Sequence, residues 1–160
     1  MQVNPGLVSA VDISNMPALE RCYFQRTIIP TITTNATANY YSAMQYLYLQ
    51  DGVLTGTVDI SGMPTVERVY AHNNDISTFT TNTGAGYYTA IQLLYVYNNL
   101  NLTSVDFSNM ATLTRIRAHD CGLTSAIMST SANFYPVLEW LYLFDNPALT
   151  GTLDISGMPA

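Results

Sequence analysis

Apolar and polar residues alternate over short stretches that recur along the whole chain. In VERVYAHNN, residues 66–74, Val66, Val69 and Ala71 are set against Arg68, Tyr70 and His72. Alternation with period 2 is the mark of a strand with one face buried. Equivalent stretches are LERCYFQRTI from 19, MQYLYLQDGVL from 44, IQLLYVYNNLNL from 91, LTRIRAHDCGL from 113 and LEWLYLFDNPAL from 138. With the one at 66 they predict six short strands, at steps of 25, 22, 25, 22 and 25 residues. A second phrase runs through the chain in the same rhythm: VDISNMPA from Val11, VDISGMPT from Val58, VDFSNMAT from Val105 and LDISGMPA from Leu153, at steps of 47, 47 and 48. A fixed period of this size marks a repeat architecture.

A single half-buried strand cannot cover its apolar face, but six stacked at about 4.8 Å form one continuous core. The Val, Ile, Leu and Tyr content of the stretches suits strands. Asn74, Asn99 and Asn146 fall where the chain leaves a strand, a place where a side-chain amide satisfies turning backbone groups. The returns are of two kinds. LTGTVDIS, LTSVDFS and LTGTLDIS follow the strands at 44, 91 and 138 and predict short second strands. TTNATANYYSA, TTNTGAGYYTA and STSANFYPV follow the others, and their pairs Tyr40–Tyr41, Tyr87–Tyr88 and Phe134–Tyr135 are expected to staple a helical turn to the core. Met16, Met63, Met110 and Met158 read as core filling rather than soft metal ligands.

All six stretches follow L-x-x-L-x-L-x-x-[N/C]-x-L with conservative substitutions, and in this the chain resembles the leucine-rich repeat family. The resemblance implies a single solenoid over 1–160. It would be an α/β-type repeat, β-dominated, with a parallel β-sheet on a concave face and short second strands and helical turns on the return side. It also implies a role in protein interaction.

Composition narrows the partners. The chain has 11 acids, five arginines and no lysine, for a formal charge of −6. That balance gives no general attraction to nucleic acid or anionic membrane. No apolar run approaches the roughly 18 residues of a membrane span, and MQVNPGLVSA lacks the basic and apolar regions of a signal peptide. Scant charge with abundant Thr, Asn and Tyr suits an extracellular, cell-surface or virion-surface adhesive protein.

The outward positions stack into four columns. The first reads Arg21, Tyr46, Arg68, Leu93, Arg115, Trp140 and the second Tyr23, Tyr48, Tyr70, Tyr95, Arg117, Tyr142. The third reads Gln25, Gln50, His72, Tyr97, His119, Phe144 and the fourth Arg26, Asp51, Asn73, Asn98, Asp120, Asp145. Every arginine, both histidines and the only tryptophan fall here, whereas of the 11 acids only Asp51, Asp120 and Asp145 do. A tyrosine ladder that merely stabilises a sheet accounts for part of this. Tyr, Trp and Arg are also the residues that dominate binding energy on a surface covered by a partner, so the expectation is a binding face for a protein or glycan.

Chemistry is sparse. His72 and His119 share a column two strands apart, about 9.6 Å, too far for one zinc ion. The oxygens of Asp51, Asn73, Asn98, Asp120 and Asp145 lack the dense carboxylate cluster of a tight calcium site. No phosphate-cradling glycine loop or nucleophile motif is present, and nothing sets one carboxylate as acid and another as base. No cofactor, metal or enzymatic activity is expected. Cys22 and Cys121 read as core thiols about 19 Å apart, beyond disulfide reach. Asn35-Ala-Thr37 and Asn101-Leu-Thr103 match the glycosylation acceptor pattern.

The alternative is a structural or assembly protein. NPGLVSAVDISNMPA and NPALTGTLDISGMPA are the same phase of the repeat, so both ends read as cut within a unit and uncapped. Exposure of Leu7, Val11 and Ile13 at one end and of Leu149, Leu153 and Ile155 at the other is expected. A fragment of a longer protein, or end-to-end self-association, follows as the expectation.

Overall fold

A computed structural model describes residues 9–150 and 153–158. They wind as a parallel β-solenoid with twelve strands. In chain order these are β1 (Val11–Asp12), β2 (Arg21–Tyr23), β3 (Ile32–Thr33), β4 (Tyr46–Tyr48), β5 (Thr55–Asp59) and β6 (Arg68–Tyr70). They continue as β7 (Asp75–Thr80), β8 (Leu93–Tyr95), β9 (Ser104–Asp106), β10 (Arg115–Arg117), β11 (Ser125–Ile127) and β12 (Trp140–Tyr142). The even-numbered strands β2, β4, β6, β8, β10 and β12, one from each predicted stretch, pair in parallel as one six-stranded sheet. The odd strands form the return side as three parallel pairs, β1–β3, β5–β7 and β9–β11.

The central residue of each sheet strand points inward. Cys22, Leu47, Val69, Leu94 and Ile116 are buried there, and Leu49, Ala71, Val96 and Ala118 repeat the pattern two residues on. Val58, Ile76, Phe79, Val105 and Phe107 meet them from the return side. The core is thus a stack of apolar layers, each made by one turn of chain.

Among the described residues there is no helix, so the helical turns and the α/β form implied by the family resemblance are corrected. The long returns instead make isolated three-residue turns: Tyr40 N–H donates to Thr37 O, Tyr87 N–H to Gly84 O and Phe134 N–H to Ser131 O. These bonds are not continued, because the next amides bond to the following turn of the solenoid, Tyr41 N–H to Gly62 O and Tyr135 N–H to Gly157 O. The residues are Thr, Asn and Ser, whose side chains compete for backbone groups; the Asn35 and Asn82 carboxamides accept from Thr37 and Gly84 N–H.

The aromatic pairs nevertheless have a fixed role. The second ring of each, Tyr41, Tyr88 or Tyr135, is buried. Each hydroxyl accepts from one backbone N–H, that of Asn35, Asn82 or Ser129, at 2.8–2.9 Å. Each then donates to a carbonyl 28 residues back, that of Ile13, Ile60 or Phe107, at 3.0–3.2 Å. The first ring packs edge-on to the second, with centroids 4.9–5.0 Å apart.

A second internal ladder forms where the chain leaves the sheet. The carboxamide of Asn99, with no exposed surface, donates to Ala71 O, Val96 O and Tyr97 O and accepts from Ile76 N–H. Asn74 and Asn146 repeat this set one turn earlier and two turns later. Cys121 stands in the same file, its thiol 3.4 Å from Val96 O and from His119 O. Both cysteines are buried and free.

Met63 and Met110 fill the core and Met158 packs partly against it, but Met16 is exposed at 49%, contrary to expectation. The end exposures are corrected in part. Ile13 is buried beneath the Tyr41 bridge and Val11 is half-covered through its pairing with Ile32. Leu149 and Leu153 are half-buried and Ile155 is exposed, while Leu7 lies outside the described residues.

Candidate functional site

The parallel register places the first two outward columns side by side as read from the sequence. Arg21, Tyr46, Arg68, Leu93, Arg115 and Trp140 are Cα partners across the sheet, as are Tyr23, Tyr48, Tyr70, Tyr95, Arg117 and Tyr142.

Within the columns, rings lie face to face along the solenoid axis. Tyr48 stacks on Tyr70 at 4.6 Å and Tyr70 on Tyr95 at 5.0 Å, with planes 17° and 19° apart; Tyr23 leans on Tyr48 at 5.1 Å. Arg117 continues the file with its guanidinium carbon 4.8 Å from the Tyr95 ring and 5.5 Å from that of Tyr142. The third column runs His72, Tyr97, His119, Phe144 at 4.2, 4.6 and 4.5 Å, with planes within 11°. In the first column Arg21 and Arg68 bracket the Tyr46 ring at 5.2 and 5.6 Å, and Arg115 lies over Trp140 at 4.1 Å. Leu93 is half-buried between them. Stacks of this kind contribute about 0.5–1.5 kcal/mol per pair beyond area burial. They also turn each interior ring so that its edge, not its face, meets solvent.

The fourth column has a property that alternation alone does not reveal. Arg26, Asp51, Asn73, Asn98, Asp120 and Asp145 all adopt left-handed backbone, φ 51–60°. Asn and Asp tolerate that region better than other non-glycine residues, so the Asp/Asn recurrence was the signal available in the sequence. Their side chains bond along the row: Asn73 Nδ2 donates to Asp51 Oδ1 at 2.6 Å and Asn98 Nδ2 to Asn73 Oδ1 at 2.9 Å. His119 Nδ1 lies 2.7 Å from Asp120 Oδ2. Among the described residues no three His, Cys, Asp or Glu side chains converge as a metal site. A hollow of about 460 Å³ beside this row is lined by Val53, Asn74, Asp75 and Leu100 among others. Its amides Asn73, Asn74 and Asn98 are already committed to internal bonds.

Electrostatically the face stands out from the rest of the chain. Arg115 has Glu139 at 3.6 Å and Arg26 has Asp51 at 3.9 Å, but among the described residues Arg21, Arg68 and Arg117 make no ion pair. A hydrogen bond to Tyr48 raises the Arg68 pKa, so it stays fully charged. Among the described residues five covered polar side-chain atoms find no hydrogen-bond partner: Gln25 Oε1, Gln50 Oε1, Arg68 Nε, His72 Nδ1 and Arg117 Nε. All five belong to these columns, whereas buried polar groups are ordinarily paired.

Burial lowers the His72 pKa below its ordinary value of 6.5; Asp51 opposes the shift and Arg117 and His119 reinforce it. The folded chain therefore favours the neutral ring, and the unfolded chain takes up the proton first as pH falls. Stability from this group is present above pH about 6.5 and is lost below it, down to the depressed folded value. Thermal melts should show a smaller loss of Tm between pH about 7.5 and 5.5 in His72→Gln than in the wild type. An equal loss in both would remove His72 from the explanation.

Comparison with protein-family models, with curated proteins and with solved structures finds no match for this chain.

Proposed function

We propose that the chain is a non-enzymatic binding module of leucine-rich repeat type, recognising a protein or glycan on the face of its six-stranded sheet. The observation that carries this reading is the segregation of charge. A chain of formal charge −6 gathers Arg21, Arg68, Arg115, Arg117, both histidines and its tryptophan on one face, and among the described residues three of those arginines make no ion pair. Stability of the sheet does not require it, because an all-tyrosine file would stack as well without desolvating guanidinium groups. Surface exposure of Trp140 at 37% and Phe144 at 54% adds aromatic anchors of the kind that dominate interfaces. The low charge and the Thr, Asn and Tyr content fit a setting at a cell or virion surface.

Association between copies is a second reading. It is favoured by the same exposed cluster, Trp140, Tyr142 and Phe144, gathered on and beside β12, the outermost strand of the sheet.

Pull-down and glycan-array binding by the wild type, compared with Arg68→Ser and Arg117→Ser, test the main reading. Arg115 is the less informative target because Glu139 already pairs with it. Each substitution should weaken binding about tenfold or more, the value of one charge-assisted contact, with Tm kept close to that of the wild type. Undiminished binding by both well-folded variants would move the ligand off this face.

A further inference from the structure

The binding reading leaves the ligand class open, and the geometry of the face narrows it. The six described strands span about 24 Å, and the five residue steps from the first column to the fourth cover about 17 Å. The described face is therefore roughly 400 Å² in outline, room for a single extended chain laid across the strands.

The rings argue in the same direction. Sugar recognition by aromatic stacking needs an open ring face, and the faces of Tyr48, Tyr70, Tyr95, Tyr97 and His119 are occupied by their column neighbours. What the interior columns offer are ring edges, hydroxyls and guanidinium N–H groups, suited to carboxylates and carbonyls.

Charge fixes the line the chain would follow. Arg21, Arg68 and Arg115, the last already shared with Glu139 at 3.6 Å, lie in one column on alternate strands, β2, β6 and β10. Their spacing is therefore about 9.6 Å, consistent with the bracketing of the Tyr46 ring by Arg21 and Arg68. Arg117 adds a fourth cation one column over. Acidic rows bound this strip: Glu20, Glu67 and Glu139 precede the first column, and Asp51, Asp120 and Asp145 stand in the fourth. They repel a broad or densely charged polyanion. A nucleic-acid strand, with a phosphate about every 3.4 Å of axis, is mismatched in spacing as well as in width.

We infer that the face takes an acidic polypeptide segment in polyproline II conformation, lying across the strands with a carboxylate at every third residue. This inference rests on the binding reading and specifies its ligand. A polyproline II chain has three residues per turn and rises about 3.1 Å per residue, so acids at i, i+3 and i+6 share one side at about 9.3 Å. In a β-conformation, residues three apart point to opposite sides and the match is lost. About eight residues cover the six strands at that rise. Ring edges between the arginines serve the apolar residues of such a chain, which is commonly docked on aromatic-lined surfaces.

Fluorescence anisotropy with the full chain and a labelled peptide of about nine residues, glutamate at every third position and Pro, Ala or Ser between, tests the inference. The comparison peptides have the same composition with the glutamates adjacent, or glutamine in their place. An acidic oligogalacturonate and a neutral glucan oligomer complete the set. The spaced peptide should bind about tenfold more tightly than the clustered one, lose measurable binding with glutamine, and weaken about tenfold in Arg68→Ser. Arg21→Ser, at an exposed position, is the second variant should Arg68→Ser melt early. Equal binding of spaced and clustered peptides, or no effect of either arginine variant, would overturn the inference. If oligogalacturonate binds through these arginines and no peptide does, the inference fails while the binding reading stands. If none of the probes binds, the inference fails on its own terms, and the arginine variants in the pull-down and array comparison decide the reading separately.

Discussion

Asn99→Ala should destabilise the protein by about 3–5 kcal/mol, read as a fall in the urea midpoint with the slope of the transition unchanged. The carboxamide is fully enclosed and makes four bonds, accepting from Ile76 N–H and donating to three carbonyls on two turns of chain. Alanine leaves the N–H with no partner and at least one carbonyl short, each costing about 1–3 kcal/mol where water cannot reach. It also opens a cavity between neighbouring layers. Asn99→Cys should cost less, because Cys121 already fills the same file and keeps its thiol near two carbonyls. A loss under about 1 kcal/mol for Asn99→Ala would show that this file is packing rather than hydrogen-bonded structure.

Tyr88 separates ring from hydroxyl. Tyr88→Phe keeps the buried ring and its edge contact with Tyr87 but removes the bridge from Asn82 N–H to Ile60 O, at an expected cost of about 1–3 kcal/mol. Tyr88→Ala removes both and should cost about 4–5 kcal/mol or more, since large-to-small changes at a closed site add a cavity to the lost transfer energy. Chemical denaturation of the two variants checks the difference. Equal destabilisation would place the whole effect on the bridge, whereas a Tyr88→Phe variant as stable as the wild type would deny the bridge any share.

The six sheet strands were legible because their alternation is short, strict and repeated; the register of Arg21 with Tyr46, Arg68, Leu93, Arg115 and Trp140 follows from the stretches being in phase. The short second strands at Thr55–Asp59 and Ser104–Asp106 were legible for the same reason, but the third, expected in LTGTLDIS, is not a strand over its described residues. The helical turns expected at the aromatic pairs are isolated turns instead, because nothing in the returns carries a helical pattern. TTNATANYYSA has no apolar period of 3.6 and is rich in residues that favour turns. The tyrosine bridges stayed hidden because each hydroxyl's acceptor is 28 residues away, across a turn boundary that no local pattern marks. Of the candidate face, the membership of the columns could be read from the sequence. The direction in which the rings turn could not, because it depends on contacts along the stack. Met16 shows the limit of repeat logic: its equivalents Met63 and Met110 are fully buried, while Met16 is exposed.

Each bridging tyrosine bonds back to the third residue of the preceding VDIS-type phrase, so a 47-residue segment cut just after one phrase and just after the next, 66–112 for example, carries half a bridge at each end. Joining such ends restores a whole bridge, a continuous asparagine file and an unbroken column. Misaligned recombination between the near-identical phrases would therefore lengthen or shorten the molecule by two strands without a scar, adding or removing one arginine of the row each time. Under the binding reading proposed above, copy number alone would set the length of ligand that the face accommodates, with no new side chain invented.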